Sequence, residues 1–166
     1  VFGPKTPIVR TMPNTPAMVG RGITGIIGNK HAGSAGLDTA EELMRAVGEV
    51  VRLDTEAQID AVTGVSGSGP AYVFHLIECL AAAGEAQGLA PELAMQLAKA
   101  TVAGAGALAI ASSETPSQLR VNVTSPNGTT QAGLDELMDS DRGLPPLIRR
   151  TVAAATNRSK ELARDA

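Results

Sequence analysis

At 166 residues and 16.9 kDa, the chain has room for one ordinary domain, or one domain plus part of another, but not for two complete ones. Hydrophobic residues make up 43%, charged residues 19% and aromatic residues 2%, with acidic and basic side chains interspersed to a net charge of −3. That balance offers nucleic acid neither a basic stripe nor stacking rings, and no unbroken apolar run approaches the ~20 residues of a membrane span, so a soluble globular chain is expected. Cys79 is the only cysteine, which excludes an internal disulfide and fits a reducing cytoplasm. The opening Val1-Phe2-Gly3-Pro4 has no initiator Met and no signal-peptide pattern, so the chain is expected to begin within a longer protein. An apolar content drawn from Ala, Val, Leu and Gly buries little area per side chain, so an oligomer is expected.

In chain order, the first third reads as α/β. The β-branched runs Ile8-Val9-Arg10, Ile23 to Ile27 and Val50 to Leu53 predict three strands. Between the second and third, Ala40, Leu43, Met44 and Val47 fall at helical spacing, predicting a helix over 39–47 capped by Asp38 or Thr39. From about residue 56 the period becomes helical. A short helix is predicted near Glu56 to Val62, then a long one from Ser68 and Pro70 through Ala86, ended by Gly88. Pro91 with Glu92 opens an Ala-rich helix to about Ala111. Thr115-Pro116 starts a short helix, Thr129 or Thr130 another to about Asp139, and Pro145-Pro146 the last, to Ala163. The second half is therefore expected to be a helical bundle, with Arg149, Arg150, Arg158, Lys160, Glu161, Arg164 and Asp165 on the solvated face of its last helix.

Three segments use residue types that plain structure does not require. In Arg10 to Pro16, two prolines end a strand and leave Asn14 and Thr15 free to bind either a ligand or their own turn. In Gly64 to Tyr72, three glycines precede a helix start, as in a tight turn or a loop that offers backbone N–H groups to a ligand. The spacing is not that of a dinucleotide fingerprint, and no Lys occupies the Walker position. In Asn122 to Thr130, small hydroxyl residues and a glycine at a helix start would form a nest of N–H donors suited to a carboxylate, or simply a capped turn. Gly104 to Ala109 matches the letters of a dinucleotide motif but lies inside a predicted helix with no strand before it, so its glycines are assigned to helix packing. His31 and His75 have no partners at metal-ligand spacing, and no metal is expected; Cys79, four residues after His75, is read as a packing residue.

Taken together, Met12-Pro13-Asn14-Thr15-Pro16, Asp60 to Tyr72, Pro116 with Leu119, and Val123-Thr124-Ser125-Pro126-Asn127-Gly128-Thr129-Thr130 resemble the pyrroline-5-carboxylate reductase family. The resemblance runs through essentially the whole chain, with Asn127 where the family usually has Gly and Met138 where a polar residue is common. The family's first hundred or so residues, which carry the nucleotide fingerprint, have no counterpart here. The resemblance implies a mainly α fold: residues 1–55 as the end of a Rossmann-like NAD(P)-binding domain, and residues 56–166 as a helical domain for dimerisation and substrate binding. It implies NADPH- or NADH-dependent reduction of 1-pyrroline-5-carboxylate to proline in the cytoplasm, by a homo-oligomer of at least two chains. Thr130 is the implied catalytic residue. Asn122, Val123, Ser125, Asn127, Gly128, Thr129 and Thr130 are implied at the substrate, and Met12, Pro13, Asn14, Ser66, Gly67, Ser68 and Gly69 at the cofactor. The competing expectation is a non-catalytic dimerisation module of another dehydrogenase. The chain by itself is expected to lack reductase activity.

Overall fold

A computed structural model describes residues 2–164; Val1, Asp165 and Ala166 lie outside the described residues, and with them the expected exposure of Asp165. The chain divides into two compact units, residues 1–70 with 150–166, and residues 71–149.

The first unit is built on a three-stranded sheet in the order β1 (Val9–Met12), β2 (Gly22–Gly28), β3 (Gly48–Arg52). β1 runs antiparallel to β2, with Val9 opposite Gly28 and Met12 opposite Gly25. β3 runs parallel to β2, with Gly22 beside Gly48 and Ile26 beside Arg52. A parallel pair needs a crossover, and α1 (Gly33–Arg45) provides it, making β2-α1-β3 a complete βαβ unit. The central strand is the buried one: Thr24 and Ile26 are enclosed, as is Ile59 from α2 (Ala57–Val62).

α1 begins six residues before the predicted start at 39. The periodicity is legible only from Ala40, because the start has no capping side chain, and Asp38 and Thr39 lie inside the helix. The Thr39 hydroxyl donates to the Ala35 carbonyl, while Asp38 and Glu41 both pair with Arg52 at 2.6 Å, fastening α1 to β3. Those hydrogen bonds hold the Arg52 guanidinium above its usual pKa, and the Glu41 carboxyl below its own through Arg45 and then Arg52. The end of α7 (Leu144–Arg164) belongs to the same unit. There the Ser159 hydroxyl donates to Asp60 at 2.7 Å, and Thr156 and Val152 come so close to Gly64 that a Cβ added at Gly64 would lie 2.3 Å from Thr156 Oγ1.

The second unit contains most of α3 (Gly69–Ala86), with α4 (Pro91–Ala111), α5 (Pro116–Asn122), α6 (Thr129–Leu137) and the start of α7. The proline and glycine signals place α3, α4 and α5 as predicted. Gly88 takes φ +93 after α3, Pro91 and Pro116 open α4 and α5, and Thr115 caps α5 by accepting the Gln118 N–H at 3.2 Å. The buried core between α3 and α4 consists of Ala81, Ala94 and Ala98, flanked by Ile77 and Met95. Around it, Val73, Phe74, Leu76, Leu80, Leu93, Leu97, Leu108 and Ile110 are exposed. Within one chain, then, the helical half leaves much of its apolar surface uncovered.

α4 also corrects an expectation. With mean hydropathy 1.4 over an 18-residue window, its 21 residues meet the length and apolarity of a membrane span. An unbroken apolar run is too strict a criterion here, because Glu92 and Lys99 interrupt the helix without removing its apolar character. One such helix is weak evidence for a span, and Ala94 and Ala98 pack it against α3.

Candidate active-site segments

The implied cofactor residues all lie in the first unit. Met12 ends β1, and Asn14 follows in an extended conformation ahead of a short 3-10 helix, Thr15–Val19. The Asn14 side chain is committed to structure: its Oδ1 accepts the Ile23 N–H at 3.0 Å, tying the Pro13-Asn14 corner to the start of β2. Pro13 is exposed.

The glycine-rich segment after α2 makes the close contacts expected of a tight turn, but with a different backbone. It is neither a tight turn nor an open loop, but a π-helical turn over Thr63–Gly67 in which the Ser68 N–H donates to the Thr63 carbonyl at 2.8 Å. Ser66 donates to the Val62 carbonyl and Thr63 to the Ile59 carbonyl. The Ser68 N–H, one of those a ligand-facing loop would have exposed, is therefore used inside the helix. The glycines serve close approach instead: Gly64 admits α7, and a Cβ on Gly67 would lie 2.6 Å from the Met12 methyl. That second contact brings the end of β1 to the π-turn, so two segments 55 residues apart form one surface. π-turns inside helices recur at functional sites.

The implied substrate residues lie in the second unit. α5 ends at Asn122, and the Thr124 hydroxyl donates back to the Arg120 carbonyl at 2.6 Å. The chain then turns through Ser125-Pro126-Asn127-Gly128, where the Gly128 N–H donates to the Ser125 carbonyl at 3.0 Å. Pro126 at the second position and Asn127 with φ +59 at the third give the turn its type II character. Gly128 is the N-cap of α6 and offers no side-chain acceptor, so the first N–H groups of the helix keep their donor capacity beside the exposed Thr129 and Thr130. Ser125, Asn127, Gly128, Thr129 and Thr130 are thus gathered at one helix start. Asn122 is engaged elsewhere, since its side-chain amide donates to Glu114 at 2.9 Å and accepts from Gln118 at 2.8 Å. Val123 is an exposed apolar residue between them.

Beside this turn runs a groove of about 470 Å³ between α5 and α6, lined by Arg120, Thr124, Gln131, Leu134, Asp135 and Asp139 among others. Residue types alone do not single out this set. The signal that could have found it is the four-residue spacing of Arg120 with Thr124 and of Gln131 with Asp135, whose side chains hydrogen-bond at 2.6 Å.

The family model for pyrroline-5-carboxylate reductase dimerisation matches residues 56–162. The chain belongs to the pyrroline-5-carboxylate reductase family. Across 162 residues it is 45% identical to the pyrroline-5-carboxylate reductase of Pseudomonas aeruginosa, covering 98% of this chain and 59% of that protein. A Synechocystis relative of the same name is 46% identical over 159 residues, or 96% of this chain and 58% of the relative. Among solved structures, the pyrroline-5-carboxylate reductase of Coxiella burnetii is similar with a TM-score of 0.91 at 42% identity, covering 96% of this chain and 58% of that one. A Plasmodium falciparum pyrroline carboxylate reductase with NADP bound gives 0.84 at 33% identity, covering 96% and 63%. The chain therefore spans about three fifths of the reductases it resembles, and its α/β unit and helical half match the expected end of a Rossmann-like domain followed by a dimerisation domain.

Proposed function

We propose that this chain is the substrate-binding and dimerising part of a cytoplasmic pyrroline-5-carboxylate reductase, which reduces 1-pyrroline-5-carboxylate to L-proline as a homo-oligomer of at least two chains. The observation that carries the reading is the uncapped start of α6 behind the Ser125–Gly128 turn, in a chain of this family. Unpaired N–H groups at a helix start, with its partial positive charge, favour a carboxylate. The N–H groups of Thr129 and Thr130 and the Ser125 hydroxyl hold the substrate carboxylate, Gly128 shapes the turn behind them through its bond to the Ser125 carbonyl, and the Thr130 hydroxyl addresses the ring nitrogen. Asn122, Val123 and Asn127 complete the surround. No Lys, His or carboxylic acid occurs from Asn122 to Thr130, so the turn acts by positioning and hydrogen bonding, and the imine arrives already protonated.

NADPH or NADH supplies the hydride that reduces the carbon of the C=N bond. The Met12-Pro13-Asn14 corner and the Ser66-Gly67-Ser68-Gly69 turn would hold the nicotinamide end of that cofactor, a reading supported by the close approach of the Met12 methyl to Gly67, which brings the two segments together. The NADP-bound Plasmodium relative supports a nicotinamide cofactor. Residues 1–55 are read as the end of the nucleotide-binding domain, and residues 56–166 as the dimerisation and substrate domain.

The decisive measurement is a titration of the 166-residue chain with tetrahydrofuran-2-carboxylate, followed by amide chemical shifts. Shifts centred on Ser125, Gly128, Thr129 and Thr130 are expected, and shifts absent from that turn would sink the substrate assignment. In the complete enzyme, Thr130→Ala should lower kcat by about ten- to a hundredfold while leaving cofactor affinity unchanged, the scale of one hydrogen bond made in a dry site.

A further inference from the structure

Thr124 stands apart from the residues around it. Val123, Ser125, Pro126 and Asn127 are exposed, whereas Thr124 is half-buried and lines the groove between α5 and α6. It makes two bonds back to the end of α5: its N–H donates to the Val121 carbonyl at 3.0 Å, and its hydroxyl to the Arg120 carbonyl at 2.6 Å. A helix leaves its last carbonyls without partners, and here one residue satisfies two of them.

With backbone and side chain both bonded to α5, Thr124 keeps one orientation, and Ser125 leaves it in a set direction. From there the hydrogen bonds continue into α6: the Ser125 carbonyl accepts the Gly128 N–H at 3.0 Å, and the Gly128 carbonyl accepts the Ala132 N–H at 3.2 Å. The turn is also tight, since a Cβ on Gly128 would lie 3.0 Å from the Ser125 carbonyl oxygen. At the far end of α6, the Arg120 guanidinium donates to Met138 Sδ, a weak acceptor, at 3.2 Å. Arg120 therefore ties α5 to the turn through its carbonyl and to the end of α6 through its side chain.

We infer that Thr124 is a positioning residue for substrate binding, aiming Ser125 at the substrate carboxylate through its hydroxyl bond to Arg120; the inference rests on the Ser125–Thr130 turn being the carboxylate site. Thr124 itself touches neither substrate nor cofactor. The N–H groups of Thr129 and Thr130 and the Thr130 hydroxyl belong to α6, which holds them without help from Thr124. Loss of the Thr124 hydroxyl therefore loosens only the Ser125 side of the cradle, which weakens ground-state and transition-state binding alike. Its signature is a raised KM with kcat preserved, the opposite of that expected for Thr130→Ala.

Steady-state kinetics of the complete enzyme provide the test. Thr124→Val keeps the side-chain shape and removes the hydroxyl. The KM for 1-pyrroline-5-carboxylate should rise about three- to tenfold, the scale of one intramolecular hydrogen bond, with kcat and the KM for NADPH held within about twofold. Thr124→Ser keeps the hydroxyl and should restore the parent KM. Thr124→Ala should show the same split as Thr124→Val, and it decides the matter if the valine methyl against an unpaired carbonyl prevents folding. An unchanged imine KM in the folded hydroxyl-free variants, or a fall in kcat with KM unchanged, would overturn the assignment. Amide shifts of the 166-residue chain with tetrahydrofuran-2-carboxylate keep the two readings apart. Shifts at the turn with equal affinity in the parent and Thr124→Ala would remove Thr124 alone, whereas a parent chain without them would remove the carboxylate site and Thr124 with it.

Discussion

Asn127 shows how a single position records a backbone demand. Its φ of +59 lies in the left-handed region, where a side chain costs about 1–2 kcal/mol unless it is Gly or a short polar residue such as Asn. That is why the family's usual Gly and this chain's Asn are equivalent there, and why the departure seen in the sequence does not disturb the turn. Asn127→Gly should leave the thermal midpoint unchanged or slightly raised, whereas Asn127→Val should destabilise the chain by about 1–2 kcal/mol; equal midpoints for the two variants would mean that the turn does not hold this conformation. Asp139 makes a second local demand, accepting the Arg142 N–H at 2.7 Å and the Asp141 N–H at 2.9 Å. These bonds, Arg142 first, hold its carboxyl below the usual aspartate pKa. A depressed folded-state pKa means that the loop's contribution is complete above the ordinary carboxylate pKa and is lost only as pH falls through the lowered one. A carboxyl NMR titration should therefore place the Asp139 midpoint below that of a free aspartate, and a midpoint at or above it would remove the interaction.

At the scale of elements, the helices that prolines open and glycines close were legible in the sequence, because those residues act through local backbone sterics. α1 was legible only from its second half, since nothing in its first turn caps it. The π-turn was not legible at all. Three glycines in nine residues signal a break when only neighbours along the chain are considered, but here two of them are required by partners far away in sequence: Thr156 against Gly64 and Met12 against Gly67. The two contacts differ in how far they can yield. Gly64→Ala drives a Cβ into Thr156 Oγ1 with the Val152 carbonyl only 3.1 Å away, so it should destabilise by about 1–3 kcal/mol, partly relieved by Thr156→Ala. Gly67→Ala meets the flexible end of Met12 and should cost less stability while displacing that methyl. Thermal denaturation of the two variants decides the order; a smaller loss for Gly64→Ala would mean that α7 is not held as described. Of the candidate site, the donors at the start of α6 were readable from residue types. The groove beside it was not, because its lining comes from two helices whose packing the sequence does not announce.

At the scale of the whole molecule, Ala94 and Ala98 of α4 serve the core of the single chain, whereas Gly104 and Gly106 meet nothing in it. A Cβ placed at Gly104 meets nothing within 4 Å, so Gly104→Leu should not disturb the protomer, and should even favour its helix by up to about 1 kcal/mol. If α4 meets a second copy through this face, the same change should weaken association by about 1–3 kcal/mol through overpacking. Sedimentation equilibrium reads the second effect and thermal unfolding at high dilution the first. Undiminished association would remove Gly104 from the interface, and a monomeric parent chain at micromolar concentration would defeat the dimer itself. The three-alanine core between α3 and α4 has a kinetic consequence as well. Three buried methyl groups, with Ile77 and Met95 beside them, contribute little against the cost of ordering two long helices, so if a second copy covers the exposed apolar face, folding of the helical half is coupled to association. Its refolding should show a phase whose rate scales with chain concentration, and its melting temperature should climb on concentration. Two differently tagged populations, each already assembled, should fail to swap subunits for as long as they stay folded, and should yield mixed pairs only when made or renatured together.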